Sequence, residues 1–220
     1  LLLAKDRYNA YIGIGLLAVA AGPQIQSYLR NVLENIRQNL PSKQATNKKR
    51  LNHLDPAIFA CISMLASAVK HHIRQEITLM LDSMLSAGLS PALTTALYEL
   101  AEHIPAFKNE IADGLLKILS LILMQQTYRH PGTPKHIVIA QAQITAGGQS
   151  PEPPDTASIV LGLRTLGSFD FEGHSLLQFV RHCADNYLHS EEKLIRLEAV
   201  RTCSSLLEGT LLGLAGRNSQ

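Results

Sequence analysis

The fold class this 220-residue chain predicts is all-α, a solenoid of stacked antiparallel helix pairs, and three observations predict it. Leu and Ala dominate, Trp is absent and aromatics make up 5% of the chain, a helix-forming composition rather than the β-branched and aromatic one of sheets. Apolar residues recur at spacings of three and four, which lays them along one face of a helix. The sequence of helix, turn and second helix then repeats along the chain. With 46% hydrophobic and 17% charged residues there is ample material for a buried core, and a disordered polyelectrolyte is excluded.

The elements follow in order. Residues 5–21 and 24–39 form a first pair. Pro41 to His53, "PSKQATNKKRLNH", holds Lys43, Lys48, Lys49 and Arg50 with no acid, and reads as a solvated basic loop over 41–53. Asp55 and Pro56 start a helix that runs to Val69 and is partnered by 73–87, so the second pair covers 56–87. In the third pair, 91–125, Gly88 suits the end of the preceding helix, Ser90 caps the next and Pro91 fits its first turn. Leu93, Leu97 and Leu100 mark its first stripe. Pro105 stops that helix, and the stripe resumes at Phe107, Ile111, Leu115, Ile118 and Leu119. Residues 126–155 contain several prolines and a Gly-Gly step and form an irregular insertion, long for a connection between helices. A fourth pair spans 156–188, and a first helix of a fifth opens at Ser190. The total is about four and a half repeats.

A register runs through the first helices, in which a large residue precedes a small one: Leu17-Ala18, Leu65-Ala66, Leu100-Ala101, Leu166-Gly167 and Cys203-Ser204. The steps are 48, 35, 66 and 37 residues, and the two long ones contain the two loops. Small side chains there would let a neighbouring helix approach closely. Leu17, Leu65, Leu97, Leu100, Ile111, Leu115, Leu166 and Cys203 are therefore the expected structural seam. A unit near 35–40 residues, without the Thr-Pro-Leu-His signature of ankyrin repeats or the Trp/Gly/Tyr pattern of tetratricopeptide repeats, fits HEAT- or armadillo-like pairs. Arg196 after an aliphatic residue, with Ala199 three positions on, fits a HEAT first helix.

Chemistry is hard to find. A net charge of +2 does not call for nucleic acid or an acidic membrane. Four phosphate contacts from the basic loop would give a salt slope of only about −3.6, with no aromatics for base stacking, so nucleic acid is not the expected partner; protein docking or a localisation patch are the other readings of that loop. Cys61, Cys183 and Cys203 are odd in number and lie in apolar helical patterns, as core thiols of a reducing compartment do. His71 and His72 point about 100° apart on a helix, and His182, Cys183, Asp185 and His189 lack a second cluster to complete a metal site, so no metal is expected. "FDFEG" at 169–173 lacks the other parts of a kinase site, and no Gly-x-Ser-x-Gly elbow exists. No cofactor or small-molecule substrate is expected. The N-terminal apolar run carries Lys5, Asp6 and Arg7, and Ile118 to Met124 is too short for a bilayer, so no transmembrane segment is expected.

The stretches "GLSPALTTALYELAEHIPAFKNEIADGLLKILSLILM" and "LGLRTLGSFDFEGHSLLQFVRHCADNYLHSEEKLIRLEAVRTCSSLL", with "IFACISMLASAV" and more loosely "GLLAVAAGPQIQSYLRNVL", resemble the N-terminal HEAT region of the target of rapamycin (TOR) protein kinases. A departure lies at "AVKHHIRQE", Ala68 to Glu76, where the family pattern would place a Gly- and Pro-containing turn. The resemblance implies a fragment of a large serine/threonine kinase whose catalytic domain lies elsewhere, with no catalytic or cofactor-binding residue among these positions. It implies a scaffold that meets a raptor-type companion subunit and a second TOR protomer, in the cytoplasm, at lysosomal or other endomembranes, or in the nucleus. A nuclear-transport or nucleic-acid adaptor using Lys43, Lys48, Lys49 and Arg50 is the alternative.

Overall fold

The computed structural model describes residues 4–40, 56–128 and 154–217, and among these every regular element is helical. The chain divides into two compact units, Leu1–Leu115 and Leu116–Gln220. The basic loop and most of the 126–155 insertion fall outside the described residues.

In the first unit, α1 (Ala4–Ala21) and α2 (Gln26–Asn39) are joined by a 3-10 turn over Gly22–Ile25. The Tyr11 hydroxyl donates to Asn35 Oδ1 at 3.0 Å. These residues lie nearly equidistant from the turn, so the two helices fold back on each other. The second pair, α3 (Pro56–Val69) and α4 (Arg74–Ser86), repeats this design: its 3-10 turn, Lys70–Ile73, lies 48 residues beyond the first, the step between Leu17 and Leu65. Gly22 has φ +54° and Lys70, at the same register, φ +49°. The turn thus demands a left-handed residue. Lys70 supplies it at a steric cost that Gly22 avoids, which is the physical content of the departure at Ala68 to Glu76.

A third pair begins with α5 (Pro91–His103), where Ser90 is extended and its Oγ accepts from the Leu93 amide at 3.2 Å. Ile104 ends it and a 3-10 turn at Pro105–Phe107 leads into α6 (Lys108–Met124), within which the boundary between units falls. The first helices lie side by side, α1 against α3 and α3 against α5. Small residues permit this: Ala18, Ala66 and Ala96 are fully buried, and a Cβ on Gly15 would stand 2.2 Å from Met64 Cε.

The second unit contains the C-terminal part of α6, then α7 (Thr156–Ser168), α8 (Leu177–His182) running into a π turn at Cys183–Tyr187, and α9 (Lys193–Arg217). Asp155 caps α7, its Oδ1 accepting from the Ser158 amide at 2.9 Å. Phe169 and Phe171 are buried against each other in the connection to α8, with ring centroids 4.9 Å apart, and Gly173 at φ +84° makes the bend. The Tyr187 hydroxyl donates to the Leu123 carbonyl in the last turn of α6, satisfying one acceptor that the helix end leaves open. The first helices again lie side by side, α7 against α9.

One helical run, Asp6–Asn39, is long and apolar enough to cross a membrane by length and composition. It is interrupted at Gly22 and Pro23, and α2 beyond the turn carries Arg30, Glu34 and Arg37.

Candidate interaction surface

Of the eight residues predicted for the seam, six lie on first helices, and Ile111 and Leu115 lie on α6, the second helix of its pair. Leu65, Leu97, Leu100, Ile111, Leu115 and Leu166 are all essentially fully buried. Two positions depart from expectation. Leu17 is 65% exposed while Ala18 beside it is buried, and Cys203 is only half-buried while Thr202 before it is buried. In α1 apolar residues occur nearly all around the helix, so their spacing does not single out the face that meets α3; Tyr11, Gly15 and Ala18 supply it. In α9 the packed face is Ile195, Glu198, Ala199 and Thr202, and Cys203 is rotated 100° from Thr202.

The α7–α9 contact carries polar groups that apolar periodicity passes over. Gly167 lets α9 approach so closely that a Cβ there would lie 3.1 Å from Thr202 Cα. At this crossing the Thr202 hydroxyl donates to the Leu163 carbonyl at 2.8 Å and the Ser205 hydroxyl to that of Gly167. The buried Glu198 carboxylate accepts from Arg164 Nη2 at 3.2 Å and Nε at 3.4 Å, and Arg201 Nη1 stands 3.7 Å away. The hydrogen bond to Glu198 raises the Arg164 guanidinium above its ordinary pKa. Arg196 folds over the start of α9, donating to the Ser190 and Glu191 carbonyls, both at 2.7 Å. A signal for the ion pair was available: Glu198 falls at the i+3 position of the stripe begun by Ile195, directly before Ala199.

Other sequence candidates are not drawn into a site. Burial pushes the Cys61 and Cys183 thiols up to about 12, so neither is a thiolate nucleophile at neutral pH. His182 contacts Tyr187 edge-on and Asn186 within its own turn. Among the described residues, no group of three or more His, Cys, Asp or Glu side chains is placed to hold a metal ion. Lys43, Lys48, Lys49 and Arg50 lie outside the described residues.

What the two units do offer is uncovered apolar surface on first helices. On α1, Leu16, Leu17 and Val19 are exposed on the side away from α3; on α9, Leu194, Leu197, Val200 and Leu207 are exposed on the side away from α7. Second helices add Tyr28 on α2 and Leu79 on α4. A groove of about 400 Å³ separates α2 from α4, floored by Leu33 and Met80 and rimmed by Arg30, Glu34, Arg37, Gln75 and Glu76.

Packed helix pairs with side-by-side first helices define the class as an all-α helix-pair repeat of the HEAT or armadillo kind. The chain is 43% identical over 204 residues to the serine/threonine-protein kinase mTor of Drosophila melanogaster, a match covering 93% of this chain. It is 32% identical over 199 residues to the serine/threonine-protein kinase tor1 of Schizosaccharomyces pombe, covering 90%, and 28% identical over 212 residues to the serine/threonine-protein kinase TOR of Arabidopsis thaliana, covering 96%. The chain belongs to the TOR family and corresponds to a fragment of such a protein, spanning 8% of the length of each of these curated relatives. No family model matches it.

Proposed function

We propose that this segment is a non-catalytic scaffold within a TOR-type serine/threonine protein kinase, one stretch of a longer helix-pair array that holds and presents surfaces to companion proteins. The observation that carries the reading is the apolar face left uncovered on α1 and on α9, each opposite a face already packed on a neighbouring first helix. A repeat of this kind buries its stripe against the next repeat, and such faces become covered when the array continues. Register supports it. Arg201 lies 37 residues beyond Arg164, the same step that separates Leu166 from Cys203. Arg164 reaches a carboxylate on the following first helix, and on this reading Arg201, which stands 3.7 Å from Glu198 of its own helix, does the same in a further repeat.

On this reading the kinase domain lies in another part of the parent protein, and the partners are a raptor-type companion subunit and a second TOR protomer. They meet outer faces and loops in the cytoplasm, at endomembranes or in the nucleus. The apolar run of α1 serves packing rather than membrane insertion, because its buried face is fitted to Met64 of α3 and the run breaks at Gly22-Pro23.

Analytical ultracentrifugation of the isolated segment tests the reading. It should self-associate with rising concentration, and replacing Leu16, Leu17, Leu194 and Leu197 by Ser should render it monomeric without loss of helical circular dichroism. The same segment should show no ATP binding by calorimetry. A wild-type segment that stays monomeric at high concentration, or one that binds ATP, would overturn the proposal.

A further inference from the structure

We draw no further inference here: the strongest candidate, the groove between α2 and α4 over Leu33 and Met80, is rimmed by charges of both signs, Arg30 and Arg37 with Glu34 and Glu76, so nothing in the structure shows what covers it.

Discussion

Arg164 on α7 and Glu198 on α9 form an ion pair across two neighbouring first helices, closed by two hydrogen bonds, with the Glu198 side chain buried and the Arg164 side chain 59% exposed. The asymmetry sets what each side contributes. Water screens the arginine and limits the Coulombic gain. The buried carboxylate, deprived of its partner, would retain only the more distant Arg201. Arg164→Ala should therefore destabilise the second unit by about 1 kcal/mol. A double-mutant cycle with Glu198→Gln should give a coupling energy that shrinks at high salt, read from denaturant melts. Zero coupling would show that the pair contributes no stability.

Leu100 and Leu17 share a register in the sequence but not an environment. Leu100→Asp places a carboxylate in a fully buried seam and should cost several kcal/mol, on the order of the stability of a small domain. Loss of helical circular dichroism or a large fall in melting temperature would register it. Leu17→Asp, at a position 65% exposed, should change stability within about 0.5 kcal/mol. Equal effects of the two substitutions would contradict the packing of α1 through Ala18.

Lys70 holds a left-handed backbone conformation that its own register elsewhere assigns to Gly22. Lys70→Gly removes the clash of a Cβ with the following carbonyl, offset in part by the greater freedom of glycine in the unfolded chain. A net stabilisation of about 0.5–1 kcal/mol is expected. A lower melting temperature for the variant would mean that the lysine side chain makes a compensating contact.

Gly167 sits where α9 comes closest to α7. Gly167→Ala brings higher helix propensity, yet the new Cβ meets the Thr202 backbone, and the hydroxyl bonds of Thr202 and Ser205 to α7 resist separation. We expect a net loss of about 1 kcal/mol. Gly15→Ala should be milder because the atom in its way is the flexible end of Met64. Thermal denaturation of the two variants side by side measures the difference.

Asp155 caps α7, and its bonds to Ser158 hold its carboxyl below the ordinary aspartate range. A depressed folded-state pKa means that the stabilisation is complete above the unfolded value, near 3.9, and is lost as pH falls through the lower folded value. Asp155→Asn keeps an acceptor for the Ser158 amide but has no proton to take up. Its acid melting curve should lack this component; identical acid profiles for variant and wild type would exclude it.

Much of this was legible from residue order. Ser90, Pro91 and Pro105 marked helix ends because capping and the missing proline amide are local matters, decided within a turn of the chain, whereas the Asp155 cap is seen only in the structure. Leu97, Leu100 and Leu166 are marked as buried because polar residues interrupt the rest of their helices, whereas Leu65 lies on α3, which is apolar on most sides and packs against both α1 and α5. The resemblance to TOR proteins was legible too, since it rests on the order of residues alone.

Sequence by itself therefore determined the all-α class and the helix ends at Ser90, Pro91 and Pro105. Tertiary structure decided which face of α1 and of α9 is covered, that Arg164 reaches Glu198, that Tyr187 closes the end of α6, and that Lys70 bears the strained turn. Each of these joins groups that are distant in sequence or depends on the rotation of one helix against another. Where a helix is apolar on every side, periodicity carries no preferred direction, and only the shape of the neighbour, a glycine here or a methionine there, selects the face that is buried.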